Sequence, residues 1–326
     1  MKIVESEDWS TYKTAWIECM KDYYWYKNNP VFDWNKDEEL YDMESDFGKP
    51  GQVFLEAHHA DKIVGVFSFR YRGKQASMMR WEPAVLKPLE DSEIRNALLD
   101  YALDYLSSKG VARARVLIKY PLENPNVAKH LLDLFNQSGF DRYQPDSVDL
   151  VTRLDEIPGP PTMNDSISIH SETGITPEAI GEYCVRAYGT TPEDFEIHGF
   201  DQSVTDYDTA VAAFGSIMRG RLGQSPEEFW KVVLVDGEPA GFIGGMILER
   251  KFKPVTGVLG PLGVFPEYRR LGLGVYLVSE LFKSMIRHGC EYTAVGTPSA
   301  NTNAIKMYEK AGYKMNCLLV HLKKEL

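Results

Sequence analysis

The chain has 326 residues, 44% hydrophobic and 12% aromatic, with a formal net charge of −11. That length exceeds one comfortable core and predicts two filled domains, while the acidic balance argues against a nucleic-acid partner. No run of eighteen apolar residues marks a membrane span, and Met1-Lys2-Ile3-Val4-Glu5 has no apolar leader core, so a soluble cytoplasmic protein with no membrane contact is expected.

In chain order, a short apolar strand at Lys2-Ile3-Val4 precedes helical segments over Trp9–Lys27 and Asp37–Asp46. The aromatic bands Tyr23-Tyr24-Trp25-Tyr26 and Phe32-Asp33-Trp34 lie here, as core or as one wall of a cleft. A hairpin follows, Val53–Ala57 turning near Asp61-Lys62 into Ile63–Phe69, then strand, helix, strand, helix, Gly139-Phe140 and strand. Pro158-Gly159-Pro160-Pro161-Thr162 reads as a stiff connector, dividing residues 1–157 from 163–326.

Beyond it the same order returns. A strand at Ile167–His170 leads to helices over Pro177–Tyr188 and Val204–Arg219. Lys231–Val235 then turns at Asp236-Gly237, a strong hairpin dipeptide, into Ala240–Ile243. Thr256–Val264 is a strand, Val275–His288 an amphipathic helix closed by Gly289, and Tyr292–Val295 another strand. Gly312-Tyr313 stands where Gly139-Phe140 stood, so the chain is read as a degenerate repeat. Cys19, Cys184, Cys290 and Cys317 are scattered without a CxxC, which predicts buried free thiols and no metal site.

The run from Gly263 to Leu277 reads as strand, Pro-led turn, glycine-rich loop and helix. Such a junction leaves backbone N–H groups unpaired at the helix N-terminus, all aimed at one spot. Gly272 and Gly274 let the backbone press on a diphosphate, and Arg269 and Arg270 add positive charge. The pattern is neither a P-loop nor a GxGxxG dinucleotide fingerprint. Downstream lies Asn301-x-x-Ala304-x-x-x-Tyr308-x-x-x-Gly312-Tyr313, whose Asn301, Ala304 and Tyr308 share one helix face, with Gly312 as the stop.

With both patterns at this spacing the chain resembles the GNAT family of acyl-CoA-dependent N-acyltransferases. The resemblance implies an α/β (α+β) fold of two tandem GNAT-like domains, each a mixed, mostly antiparallel sheet flanked by helices. It implies acetyl-CoA as co-substrate, its diphosphate held by Arg269, Arg270, Leu271, Gly272, Leu273, Gly274 and Val275. Its pantetheine arm would pair with Leu262, Gly263 and Val264 on a splayed strand and touch Asn301. Tyr308 would protonate the departing thiolate. A thiol pKa near ~8.5 matches a phenol without a large shift, and the Val264 N–H would meet the oxyanion.

The first half lacks this chemistry. Where the Arg-Gly loop should recur, Trp81 to Glu93 has no glycine, one lysine and four acidic residues. Phe135 occupies the tyrosine slot and Ala128 the asparagine slot. Residues 1–157 are therefore expected to be a structural or acceptor-shaping half. The division resembles two-domain members of the family such as mycothiol synthase, in architecture only.

The amine acceptor must lose a proton before attack, yet Thr256–Val264 contains no carboxylate. Glu249 and His198 are the candidate bases through a water chain, against plainer readings as a strand end paired with Arg250 or Lys251 and a surface-loop histidine. Glu267 is expected to face solvent. Tyr188 to Gln224 holds the acceptor determinants, with acidic and aromatic groups for a cation and Arg219 and Arg221 for an anion. The expected activity is direct acetyl transfer to a primary amine of a small molecule in a ternary complex, by a monomer or homodimer. The alternatives are an acyl-CoA sensor without turnover, or an acetyltransferase of protein N-termini or lysines.

Overall fold

Asp8 caps the first helix of the chain, its carboxylate accepting from the Thr11 amide at 2.9 Å. The computed structural model describes residues 1–20, 36–78, 83–86, 92–122, 129–170, 175–188 and 202–326. The aromatic bands of 21–35, most of the acidic stretch between Trp81 and Asp91, Ala128 and His198 lie outside them. So does the acceptor stretch 189–201. Contacts divide the chain into two units, Met1–Asp146 with Leu318–Leu326, and Ser147–Cys317.

In the first unit β1 (Lys2–Glu5) pairs with β2 (Gln52–His59), which turns through Ala60 and Asp61, both at positive φ, into β3 (Lys62–Arg72). The helices between β1 and β2 are α1 (Trp9–Met20) and α2 (Lys36–Asp46). Tyr12 and Trp16 of α1 are buried against Phe54, Val66 and Ala84. β4 (Gln75–Met78) and β5 (Ala84–Val85) share one edge of β3, and α3 (Ser92–Ser108) crosses over to β6 (Arg113–Pro121), parallel to β4. α4 (Lys129–Gln137) ends near Gly139 at φ 79, and β7 (Asp141–Arg142) follows.

The second unit begins with β8 (Ser147–Arg153) and continues through β9 (Ile167–His170), α5 (Pro177–Tyr188), α6 (Gln202–Thr205) and α7 (Tyr207–Met218). One helix over Val204–Arg219 was expected. Instead Asp206 breaks it and caps α7, its Oδ1 accepting from the Thr209 amide at 2.9 Å. β10 (Lys231–Val235) and β11 (Glu238–Leu248) form the expected hairpin, with φ of 51 at Asp236 and 85 at Gly237. β9, β10, β11 and β12 (Thr256–Val264) are antiparallel, and β12 is parallel to β13 (Tyr292–Pro298) with α8 (Leu273–Arg287) as crossover. α9 (Thr302–Lys310) then leads to β14 (Lys314–Glu325). Both units thus run an antiparallel meander into one parallel step, which is the repeated order seen in the sequence.

The last strands are exchanged. β8, from the first half of the sequence, pairs seven residues with β13 in the second unit. The end of β14 belongs to the first unit, where Val320 and Leu322 are buried in its core. The division therefore falls at 146/147 and 317/318, and the Pro-rich segment 158–162 lies inside the second unit, with Pro158 against Gly312. An apolar strand satisfies either sheet equally in its own sequence, so only pairing reveals which one it joins. All four cysteines are buried and free.

Candidate active site

The two faces of the second sheet carry different helices. Tyr183 of α5 packs on Phe242, the tilted rings 5.7 Å apart, whereas Gly245 and Gly257 face Met285 of α8. Between them, β12 and β13 pair only over Thr256–Val258 and Tyr292–Ala294. Past that point β13 continues along β8 while β12 continues along β11, so the two strands part.

The parting exposes backbone groups of one strand. The Phe265 amide donates to the Ala240 carbonyl at 2.9 Å. Antiparallel alternation then points the N–H and C=O of Val264 and of Leu262 away from β11, into the gap. The carbonyls have protein partners. Tyr188 donates its hydroxyl to Leu262 O, and Arg269 donates Nε to Val264 O at 3.3 Å. The amides of Leu262 and Val264 are left directed at the gap.

Just beyond lies the loop into α8. Arg270 and Gly272 both take left-handed conformations, φ 71 and 80, and Gly272 is the N-cap. Tyr276 donates the first helical bond, to Gly272 O at 3.1 Å, so the amides of Leu273, Gly274 and Val275 form an open first turn. A Cβ on Gly272 would meet nothing within 4 Å, while one on Gly274 would lie 3.2 Å from Met307 Cγ of α9. Gly272 faces free space beside those donors, and Gly274 lets two helices close together. An anion cradle requires that geometry.

Cradle and splayed edge share one cleft of about 880 Å³, within the roughly 300–1,000 Å³ typical of ligand sites. Its walls include Leu262, Gly263, Val264, Arg269, Arg270, Gly272, Leu273, Gly274, Val275 and Asn301. Of the sequence-predicted cofactor residues only Leu271 is absent, and its side chain is 52% exposed. The acetyltransferase (GNAT) family pattern matches residues 193–313. A stretch of 106 residues is 34% identical to Acetyltransferase SG1711 of Sodalis glossinidius (strain morsitans), covering 32% of this chain and 70% of that one.

The chain belongs to the GNAT family of acetyltransferases. Among solved structures, a GCN5-related N-acetyltransferase from Sphaerobacter thermophilus is similar over 99% of this chain and 95% of its own, with a TM-score of 0.63 at 17% identity. A tandem GNAT protein from the clavulanic acid biosynthesis pathway is similar over 99% and 98%, with a TM-score of 0.55 at 15% identity. At such identities the likeness concerns the fold, and it extends over both units.

The remaining GNAT site residues are placed less simply. Asn301 is not on the helix face but is the N-cap of α9, its Oδ1 accepting from the Ala304 amide at 3.1 Å. The cap preference of Asn decides this. Arg269 also donates to Ala187 O at 2.8 Å, so it braces the loop against the end of α5 in addition to bringing charge. Glu267, expected in solvent, is half exposed and ion-paired to Arg186, whose guanidinium lies 3.8 Å from the Phe265 ring centroid.

Tyr308 is 6% exposed and does not line the cleft, although Ala304, one turn earlier, does. Its ring meets Tyr313 edge-on at 5.6 Å. Burial pushes its phenol well above the ordinary value, so the near match to a free thiol does not hold as the sequence suggested. Glu249 is not brought to the cleft. Leu248 pairs with Thr256, seven residues before Gly263, or roughly 20 Å of strand. Its carboxylate accepts from Gln224 Nε2 at 2.9 Å instead of pairing with Arg250 or Lys251 as expected.

Sequence reasoning missed Ala187 and Tyr188 at the end of α5, and Asn303, Lys306, Met307 and Lys310 on α9, all in the cleft wall. The i, i+4 recurrence of 303 with 307 and 306 with 310 was the available signal. Arg269, Arg270, Lys306 and Lys310 outnumber Glu309 in the cleft wall and make this patch cationic within a chain of net charge −11.

Proposed function

We propose that this GNAT enzyme transfers the acetyl group of acetyl-CoA to a primary amine of a small molecule, directly and within a ternary complex. The carrying observation is that an open first helical turn and a parted strand edge line the same cleft. In this reading the amides of Leu273, Gly274 and Val275 bind the diphosphate, with Lys306 and Lys310 supplying charge. The amides of Leu262 and Val264 pair with the pantetheine arm, and that of Val264 lies nearest to where a tetrahedral oxyanion would form. Tyr188 and Arg269 keep the neighbouring carbonyls occupied, so the edge presents donors and repels fewer oxygens. Tyr308 holds a proton at its phenolic oxygen and gives it to the departing thiolate. The first half of the chain, with four acidic residues and no glycine over Trp81 to Glu93, binds no second cofactor.

The test is release of free thiol from acetyl-CoA across primary amines such as polyamines, amino sugars and aminoglycosides, with peptides as the comparison. Turnover confined to small amines supports the reading, and turnover confined to peptides rejects its acceptor class. A second reading, an acyl-CoA sensor, draws on the lack of any carboxylate on β12. Tight coenzyme A binding without turnover on any amine would select it.

A further inference from the structure

Among the described residues the earlier candidates leave the acceptor ammonium without a base, since β12 has no carboxylate and Glu249 lies at the far end of its strand, while His198 lies outside those residues. One carboxylate does sit where β12 and β13 part. Asp149 of β8 is in register with Gly296 of β13. The pairing of β13 with β12 ends at Ala294. Gly296 is thus the second residue past the parting, about 7 Å along the strand.

The face can be assigned. Thr293 Oγ1 bonds the Tyr313 hydroxyl at 2.8 Å, and Tyr313 packs on Phe282 of α8 at 5.4 Å, so Thr293 points to the α8 side. Gly296, three residues on, points to the other side, where α5 lies on Phe242. Asp149 shares that side as its cross-strand neighbour. Gly296 is exposed and carries no side chain. Asp149 Oδ1 lies 3.3 Å from where a Cβ on Gly296 would be, so the carboxylate leans over the bare glycine. Its Oδ2 accepts a weak bond from Cys317 Sγ at 3.7 Å, from the other flank. An arm laid along Leu262–Val264 would bring its thioester to this gap from the α8–α9 side. A carboxylate on the opposite side meets the acceptor.

We infer that Asp149 is the residue that receives the acceptor, taking one proton from its ammonium; this rests on the acetyl-transfer reading above. The freed amine attacks the thioester carbonyl carbon, forming the C–N bond. The C–S bond then breaks, the thiolate leaves with the electron pair and takes the proton of Tyr308, and the nitrogen becomes the amide by shedding its second proton to water, which restores the phenol. Asp149 comes from the first half of the sequence and reaches the gap only through the pairing of β8 with β13.

The experiment compares wild type, Asp149→Asn, Asp149→Glu and Gly296→Ala, each checked by thermal melting and by coenzyme A titration. Thiol release from acetyl-CoA is followed against ethanolamine, glucosamine and spermidine from pH 6 to 10. The expected result is coenzyme A affinity unchanged from wild type in all three variants. For Asp149→Asn, kcat/KM should fall by roughly 10²–10³ at neutral pH, the scale of a positioned base. That gap should narrow as pH nears the pKa of the amine tested, ~10.4 for an ammonium like that of lysine and lower for ethanolamine and glucosamine, whose neighbouring oxygens withdraw charge. Asp149→Glu should recover part of the rate, and Gly296→Ala, which crowds the carboxylate, should lose rate without losing cofactor. An Asn variant within twofold of wild type and with the same pH profile overturns the role of Asp149 alone. A wild type that binds coenzyme A yet acetylates none of the amines overturns the transfer reading, and Asp149 with it.

Discussion

Replacing Gly272 tests the cradle most directly, because its two effects separate. At φ 80 an L-residue carries a left-handed penalty of about 1–2 kcal/mol, larger for a β-branched side chain. For a unit of this size that is a melting shift of roughly 2–8 °C. A Cβ at Gly272 touches no protein atom within 4 Å. Gly272→Val therefore costs the fold only backbone strain, while its branch occupies the space in front of the Leu273, Gly274 and Val275 amides. Coenzyme A affinity should fall at least tenfold, about 1.4 kcal/mol. Gly274→Val is the contrasting arm, since its Cβ would press on Met307 and disturb the packing of α8 on α9. Calorimetric titration and thermal melting on the same samples read both quantities. A Gly272→Val protein with the expected melting shift but unchanged coenzyme A affinity would refute the cradle.

Three further outcomes are expected. Tyr308→Phe should lower turnover by roughly 10²-fold in steady-state assays while coenzyme A affinity barely changes; equal turnover would leave Tyr308 as packing alone. Coenzyme A should titrate with a stoichiometry of one per chain, because Trp81 to Glu93 carries four acidic residues and no glycine where the Arg-Gly loop would recur, and two equivalent sites would reject that asymmetry. Glu228 accepts from Arg287 and from His288. Desolvation raises its pKa, but these two partners outweigh it and hold the carboxyl below its ordinary value. Its stability contribution is therefore present above that ordinary value and lost as pH falls through the lower folded pKa. Glu228→Gln should cost up to ~1 kcal/mol at pH 7, discounted for exposure, and the difference should vanish in melts taken in strong acid.

The open first turn after β12 was legible because its geometry is local. Glycines at fixed offsets after a strand dictate which amides open at a helix start, and Gly272 and Gly274 stand where that logic put them. The hairpin at Asp236-Gly237 was legible for the same reason. Asn301 was misread in the same local terms, since a side chain that caps a helix and one that lies on its face differ by one residue of helix start. What the sequence hid is non-local. β8 and the end of β14 have ordinary apolar patterns, and nothing in Ser147–Arg153 says which sheet it will join. Asp149 is invisible for that reason, as its place beside Gly296 exists only after the exchange. Glu249 was plausible by nearness in sequence and is excluded by strand length.

The repeat itself clarifies Tyr308. In the first unit Phe135 meets Phe140 edge-on at 5.0 Å, and in the second Tyr308 meets Tyr313 edge-on at 5.6 Å. The same aromatic pair closes both helices, so packing is satisfied by a ring without a hydroxyl, and the oxygen of Tyr308 is surplus to the fold. Burial raises its pKa, which keeps it protonated throughout the neutral range. As an acid it is then weaker than a free phenol, and a fully hydrated thiolate would take its proton poorly. In a ternary complex the thiolate would itself lose hydration to the bound acceptor, and desolvation would raise its own proton affinity too. Donor and acceptor are shifted in the same direction, and the transfer stays close to balance for a reason that the free-solution values do not contain.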